Sequence, residues 1–267
     1  MTAADPPPIV LIHGLWMTPR SWEHWVERYR ARGHEVLAPS WPGLEGDVEA
    51  LRADPTPLTQ QSITKIVDHY EGIIRGLDSA PIIMGHSFGG TFTQLLLDRG
   101  LGRAGVGVDS STVKGVLSLP LSTLRSAGHV LANPLNRGKA VPFSEKHFRY
   151  AFGNTMTEEQ SREAWDRYSV PAAARVLFEG AAGNLVPNSP IKVDLKKNDR
   201  PPLLLIAGGK DHVVPAKVTR ENVKRYGKSE AIVAYKEFPD RSHFTAGEPG
   251  WEAVADYALD WALDPKP

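Results

Sequence analysis

The chain contains no cysteine, so it can form no disulfide, offer no thiolate nucleophile and build no cysteine-based zinc site. It has no excess of either charge, since Lys plus Arg and Asp plus Glu both number 31. No global field therefore directs it to nucleic acid or to an acidic membrane surface. Long apolar runs are missing as well. The run nearest the start, Ile9 to Ile12, is far too short to cross a bilayer, and the MTAADPPP before it carries no basic stretch. These absences predict a cytoplasmic protein with no nucleic-acid partner and no stable membrane association. There is no H-E-x-x-H and no pair of ligands at helical spacing, so no metal is expected. Gly102-x-x-Gly105-x-Gly107 reverses the dinucleotide fingerprint, and Gly209-Lys210 is followed by aspartate rather than a hydroxyl residue. No phosphate cradle and no cofactor are predicted.

What is present is an ordinary globular composition of 267 residues, long enough to bury one large core. Short apolar runs alternate with amphipathic stretches, the pattern of parallel strands joined by crossover helices. Strands are expected at 9–12, 35–39, 81–84, 104–108, 201–207 and 231–238. Thr18-Pro19 opens a helix, with threonine as N-cap and proline at the first helical position. A helical period carries Ile63, Ile66, Val67, Tyr70, Ile73, Ile74 and Leu77, and a closing helix carries Trp251, Val254, Ala255, Ala258, Leu259 and Ala262. Between Pro120 and Pro190 the pattern changes. No continuous β-run occurs there, only helix-like pieces at 145–152 and 158–168, broken by prolines. This predicts a helical cap at 120–190, inserted into a core made of 1–119 and 191–267.

The chemistry concentrates at Gly85-His86-Ser87-Phe88-Gly89, set between an apolar strand and the helix-like 90–97. G-x-S-x-G in that setting is a sharp turn that strains the serine and demands small residues two places before and after it. The turn lifts the hydroxyl off the sheet, and the following helix N-terminus offers N–H groups to developing negative charge. A serine hydroxyl needs a base, usually a histidine held by a carboxylate. Asp211 follows the strand 201–207, and His243 follows the last strand. Ser87, Asp211 and His243 all fall at carboxyl ends of parallel strands, where ligands of open α/β sheets bind. Asp109, at the end of strand 104–108, is an alternative carboxylate. His13 and His86 are expected to hydrogen-bond loop backbone, and His212 to face away from Asp211.

With His13-Gly14 after the first strand, GHSFGG, GGKDHVVP and the histidine before the final helix, the chain resembles an α/β-hydrolase of the small cap-bearing esterase and lipase-like type. The resemblance covers nearly the whole chain. It implies a mostly parallel sheet of about six strands with helices on both faces and a helical cap. The family's two N-terminal antiparallel strands have no counterpart here. It also implies a small-molecule ester substrate, with Ser87 as nucleophile, His243 as base and Asp211 as the orienting acid. The residue after His-Gly and the residue after the nucleophile would supply the oxyanion N–H groups, here Leu15 and Phe88. Trp16 and Phe88 then line the substrate pocket beside those donors. Trp22, Trp41, Phe143, Phe148, Phe152 and Trp165, also expected near the mouth, are read as core and cap packing. The same constellation serves lactone, thioester or C–C hydrolysis, acyl transfer and perhydrolysis, and the fold also builds ligand receptors, so these readings stay open. A lipase docking through its cap is disfavoured by the cap's charges, among them Lys139, Glu145, Lys146, Arg149, Glu158 and Glu159.

Overall fold

The structure, a computed structural model, describes residues 6–267. The first five residues of the expected 1–119 unit lie outside the described residues. The strands in chain order are β1 (Ile9–Ile12), β2 (Val36–Leu37), β3 (Ile82–His86), β4 (Ala104–Val108), β5 (Ala140–Val141), β6 (Ala172–Ala173), β7 (Leu203–Gly208) and β8 (Val233–Phe238). The helices are α1 (Glu23–Ala31), α2 (Val48–Ala53), α3 (Thr56–Thr59), α4 (Ile63–Arg75), α5 (Phe88–Asp98), α6 (Leu121–Leu131), α7 (Glu145–Ala151), α8 (Glu158–Tyr168), α9 (Ala174–Ala181), α10 (Ala216–Arg225) and α11 (Trp251–Leu263). Six strands join in one sheet of order β2-β1-β3-β4-β7-β8, every neighbouring pair parallel. These are the six strands expected from the apolar runs. The second is shorter than expected, an edge strand pairing with β1 alone.

Strand alternation sorts the core into two layers. Ile9, Leu11, Ile82, Met84, Leu204 and Ile206 face one way, onto Trp25 and Tyr29 of α1 and Val254, Ala258 and Leu259 of α11. Val10, Ile12, Ile83, Leu203 and Leu205 face the other way, onto α4 and α5. β4 alternates Ala104, Val106 and Val108 with Gly105 and Gly107. The glycine side lets α5 lie close, because a Cβ on Gly105 would meet the Leu97 side chain at 2.5 Å. The result is an α/β sheet with helices on both faces and all its carboxyl ends along one edge.

Local signals hold with small shifts. Thr18 does cap, accepting from Arg20 N–H at 3.3 Å, but the first turn (Pro19–Trp22) is a 3-10 turn and α1 begins at Glu23. The helix expected at 145–152 ends at Ala151. One expectation fails. The segment 120–190 is expected to hold no continuous β-run, yet β5 and β6 pair antiparallel in it, Ala140 opposite Ala173 and Val141 opposite Ala172. Two-residue strands carry no alternation for a periodicity reading to detect. The same segment holds α6, α7, α8 and α9, of which only α7 and α8 are expected from sequence.

Candidate active site

Ser87 is the single residue between β3 and α5, and its backbone sits at φ 55°, ψ −120°, a region that residues with a Cβ avoid. Hydrogen bonds fix it there. Its N–H donates to the Val108 carbonyl at 3.0 Å, and its carbonyl accepts from the N–H groups of Gly90 and Ser111, each at 3.0 Å. The turn closes only because glycines flank it. A Cβ on Gly85 would lie 2.0 Å from the Gly89 carbonyl oxygen, and one on Gly89 would lie 2.1 Å from that of Ile12. Among the described residues, the non-glycine residues with positive φ are Trp16 (63°), Ser87 (55°) and Asp109 (47°), all just beyond the ends of adjacent strands. Backbone strain is thus gathered at the carboxyl edge of the sheet.

The Ser87 Oγ lies 3.1 Å from His243 Nε2, and His243 Nδ1 lies 2.7 Å from Asp211 Oδ2. All three residues are buried. The other Asp211 oxygen accepts from the N–H groups of Val213 and Val214 at 2.6 and 2.8 Å, which aims Oδ2 at the imidazole. The His243 loop is anchored by Glu248, whose Oε1 accepts from Ser242 N–H at 3.0 Å and whose Oε2 accepts from the Ser242 hydroxyl at 2.8 Å. The Phe152 ring meets the His243 imidazole edge-on, 4.7 Å between centroids.

Asp109, the alternative carboxylate, points elsewhere. Its Oδ1 accepts from Gly208 N–H at 2.6 Å, and its buried Oδ2 has no hydrogen-bond partner. Burial first, and then the nearby Asp211 charge, push its carboxyl well above the usual range. A site that favours the neutral acid is a poor match for an imidazolium.

The remaining histidines behave as expected. His13 Nδ1 donates to the Gly14 carbonyl at 3.0 Å, and His86 Nε2 donates to the His243 carbonyl at 2.7 Å. Burial pushes His13 down to about 4, and burial together with His243 pushes His86 down to about 3, so both rings are neutral donors. His212 turns to the Tyr150 carbonyl, 2.8 Å from its Nδ1. Donor atoms of His86, Asp109 and His243 do lie within 4.8 Å of one another. Hydrogen bonds already engage both His243 nitrogens, and an ion there would have to displace the Ser87 and Asp211 contacts.

Leu15 and Phe88 both border the serine. A Cβ on Gly14 would meet the Ser87 Cβ at 2.7 Å, so the chain entering Leu15 runs directly against it. Phe88 opens α5, and its N–H is one of the donors that a helix start leaves without an intrahelical partner. A cavity of about 200 Å³ opens over Ser87, lined by Trp16, Phe88, Leu124, Phe143, Leu177 and Val214 among others. Ser111, Thr112, Ser118, Thr123 and Ser126 also border it. Phe143 is expected from sequence to be core or cap packing. It lines the cavity because it stacks on Trp16, centroids 4.0 Å apart, while Trp16 Nε1 donates to the Val141 carbonyl at 3.1 Å. Trp22 lies away from the mouth, in the opposite core layer with Trp25 and Tyr29. Val213 and Val214 were overlooked although they directly follow His212 in the sequence. The α6 residues carried no comparable signal.

The sequence profile described as the Alpha/beta hydrolase family matches residues 9–257. The chain belongs to that family. Among solved structures, this alpha/beta hydrolase is similar to the pyrethroid hydrolase from Sphingobium faniae JZ-2, at 20% identity over 97% of this chain and 98% of that one, with a TM-score of 0.66. An extracellular alpha/beta-hydrolase from a Paenibacillus species gives 19% identity, coverage of 96% and 98%, and a TM-score of 0.68. Polyneuridine aldehyde esterase gives 16%, 95% and 98%, and 0.65. At such identities the likeness is one of fold. No curated protein matches the chain by sequence. Among the described residues, no helix of this alpha/beta hydrolase is long and apolar enough to cross a membrane.

Proposed function

We propose that this alpha/beta hydrolase is a serine hydrolase that cleaves neutral carboxylic esters through an acyl-enzyme. The observation that carries the reading is the hydrogen-bond chain from Ser87 through His243 to Asp211, opening on a mostly apolar cavity. In this mechanism His243 Nε2 takes the Ser87 proton as Oγ attacks the ester carbonyl carbon. Asp211, bonded to Nδ1–H, fixes the tautomer and stabilises the imidazolium. The Leu15 and Phe88 N–H groups hold the oxyanion; removing one such donor in another enzyme costs about 2.7–4 kcal/mol. Nε2–H then protonates the departing alcohol. Water, losing its proton to the same nitrogen, then attacks the acyl carbon; the bond from that carbon to Oγ breaks, Nε2–H returns the proton to Oγ, and the acid leaves. No cofactor or metal enters any step.

Residues 120–190 act in this reading as a helical cap on a core of 1–119 and 191–267. In support, α6 and α9 supply cavity wall facing Ser87, and Val170 N–H donates to the Trp16 carbonyl at 2.9 Å. The preference for neutral esters follows from a lining without a charged side chain among the described residues. That a similar fold is named an esterase supports the bond type.

A fluorophosphonate probe and a panel of aryl esters test the proposal together. Wild type is expected to label at Ser87 and to turn over, and Ser87→Ala to remain folded, lose labelling and drop in kcat by roughly 10⁴-fold or more. A Ser87→Ala variant retaining a tenth of the activity would exclude Ser87 as nucleophile. Neither labelling nor turnover in folded wild type would favour a ligand-binding role. Lactones and thioesters run in the same assay rank the bond types.

A further inference from the structure

The most exposed large apolar side chains gather in one region of the surface. Leu117, Leu119, Leu121, Leu124, Leu135 and Leu185 are 69%, 63%, 84%, 43%, 77% and 85% exposed. They come from three adjoining pieces: the stretch leading into α6 with its first turn, the turn after α6, and the loop after α9. Hydrogen bonds fasten the first piece to the third. Asn184 Oδ1 accepts from Gly115 N–H at 2.7 Å, Asn184 Nδ2 donates to the Val116 carbonyl at 2.7 Å, and Lys114 Nζ donates to the Val186 carbonyl. The turn Pro134–Gly138 packs on α9 and on α6. Leu119 and Leu124 also line the cavity over Ser87, so the patch rims its mouth.

The charge around this rim is one-sided in a chain that is balanced overall. No acidic residue occurs between Asp109 and Glu145, whereas Lys114, Arg125, Arg137 and Lys139 do, and none occurs between Glu179 and Asp194, where Lys192 lies. Arg125, Arg137 and Lys139 are exposed. The acids that approach are already engaged. Glu179 pairs with Arg175 and accepts from Ile63 N–H, while Glu221 pairs with Arg225 and accepts from the N–H groups of Leu117 and Ser118.

We propose that this face docks the protein on an anionic lipid bilayer, with the leucines entering the headgroup region and the basic side chains meeting lipid phosphates. Exposed leucines beside lysine and arginine, with no free carboxylate among them, are the chemistry of a peripheral lipid contact. A second copy fits less well. An isologous pair would press two basic rims, each carrying Arg125, Arg137 and Lys139, against each other and close the cavity mouth that the leucines surround. From sequence, docking through the cap is disfavoured by its charges, among them Lys139, Glu145, Lys146, Arg149, Glu158 and Glu159. Of these, Lys139 belongs to the basic rim itself, and the other five lie on α7 and α8, whereas the leucines surround α6 and α9. Docking of this kind does not depend on the ester reading.

Sedimentation with vesicles tests it, comparing an equal mixture of phosphatidylcholine and phosphatidylglycerol with phosphatidylcholine alone. Wild type is expected to partition about tenfold more strongly onto the anionic vesicles, and added salt to weaken the binding. The triple variant L117S/L121S/L185S, none of whose positions lines the cavity, is expected to lose about tenfold in partitioning. Its unfolding temperature and its turnover of a water-soluble short-chain ester are expected to stay at wild-type levels. Wild type that ignores anionic vesicles, or a triple variant that binds them equally well, would overturn the proposal. So would a dimer in sedimentation velocity that the triple substitution dissolves, since the patch would then be a self-interface.

Discussion

Two aspartates at neighbouring strand ends are held in different surroundings. Asp211 receives two backbone N–H groups on one oxygen and the imidazole on the other. Asp109 receives one N–H and is buried beside Asp211. Asp211→Asn is therefore expected to lower kcat by about 10⁴, because an amide favours the wrong histidine tautomer. Asp109→Asn replaces a neutral acid with a neutral amide, and its loss of kcat is expected to stay within about tenfold. A reversed ranking, with both variants folded, would move the orienting role to Asp109. Stability gives an independent reading of the same assignment. Folded Asp109 keeps a proton that the unfolded chain releases above about pH 3.9. Its contribution is therefore fully present below that pH and declines as pH rises toward the raised folded value. Asp109→Asn lacks this slope, so its urea midpoint relative to wild type is expected to rise between pH 4.5 and 7.5. A relative midpoint that falls instead would mean that Asp109 is ionised in the folded protein.

The elements differ in how much of themselves they write into local sequence. β1 and β7 are continuous apolar runs buried on both faces, and α4 repeats its apolar residues at helical spacing, so all three are readable from neighbours alone. The elbow is readable for a different reason, since its geometry dictates the residues. Gly89 lies so close to the Ile12 carbonyl that Gly89→Ala must push α5 off β1. Such overpacking costs about 1–3 kcal/mol or more and moves the serine with the helix. Gly72→Ala on α4, where an added Cβ meets nothing within 4 Å, is the matched control and is expected to gain about 0.5–1 kcal/mol. Urea midpoints of the two variants check both signs, and equal effects would show that the elbow relaxes freely. Other features were not legible because their causes are remote. β5 exists only through β6, some thirty residues onward, and Phe143 reaches the cavity only through its stack on Trp16. The choice between Asp109 and Asp211 was open for the same reason. Both end strands, and what separates them is the hydrogen bonding from Val213, Val214 and Gly208.

At the scale of the whole molecule, burial sets both the pH range and the substrate range. His13 and His86 are fully enclosed and pushed down to about 4 and about 3, in each case chiefly by burial. Unfolding lets each take a proton at about pH 6.5, so their contribution is present above that pH and is lost as pH falls toward the folded values. Asp109 acts in the other direction over part of this range. With a pKa unit worth about 1.36 kcal/mol, the two fully buried histidines dominate, and the urea midpoint is expected to drop between pH 7 and pH 4.5. A flat midpoint across that interval would contradict the enclosure of both rings. In the ester reading, the same interior limits the acyl group. Trp16, Phe88, Phe143, Leu124 and Leu177 wall a cavity of about 200 Å³ over Ser87. Each added methylene that fits contributes about 0.8 kcal/mol, close to fourfold in kcat/KM if the gain persists in the transition state. Once the walls are met, the next methylene costs about 1–3 kcal/mol by overpacking, or parts α6 from α9. Docking on a bilayer would bring apolar esters to the mouth without enlarging the cavity behind it. For aryl esters of graded length, kcat/KM is therefore expected to rise, peak at a short-to-medium acyl chain and fall beyond it, on vesicles as in solution. Rates that keep climbing with chain length, or that jump on emulsified long-chain triglyceride, would mean that the wall formed by α6 and α9 opens during turnover.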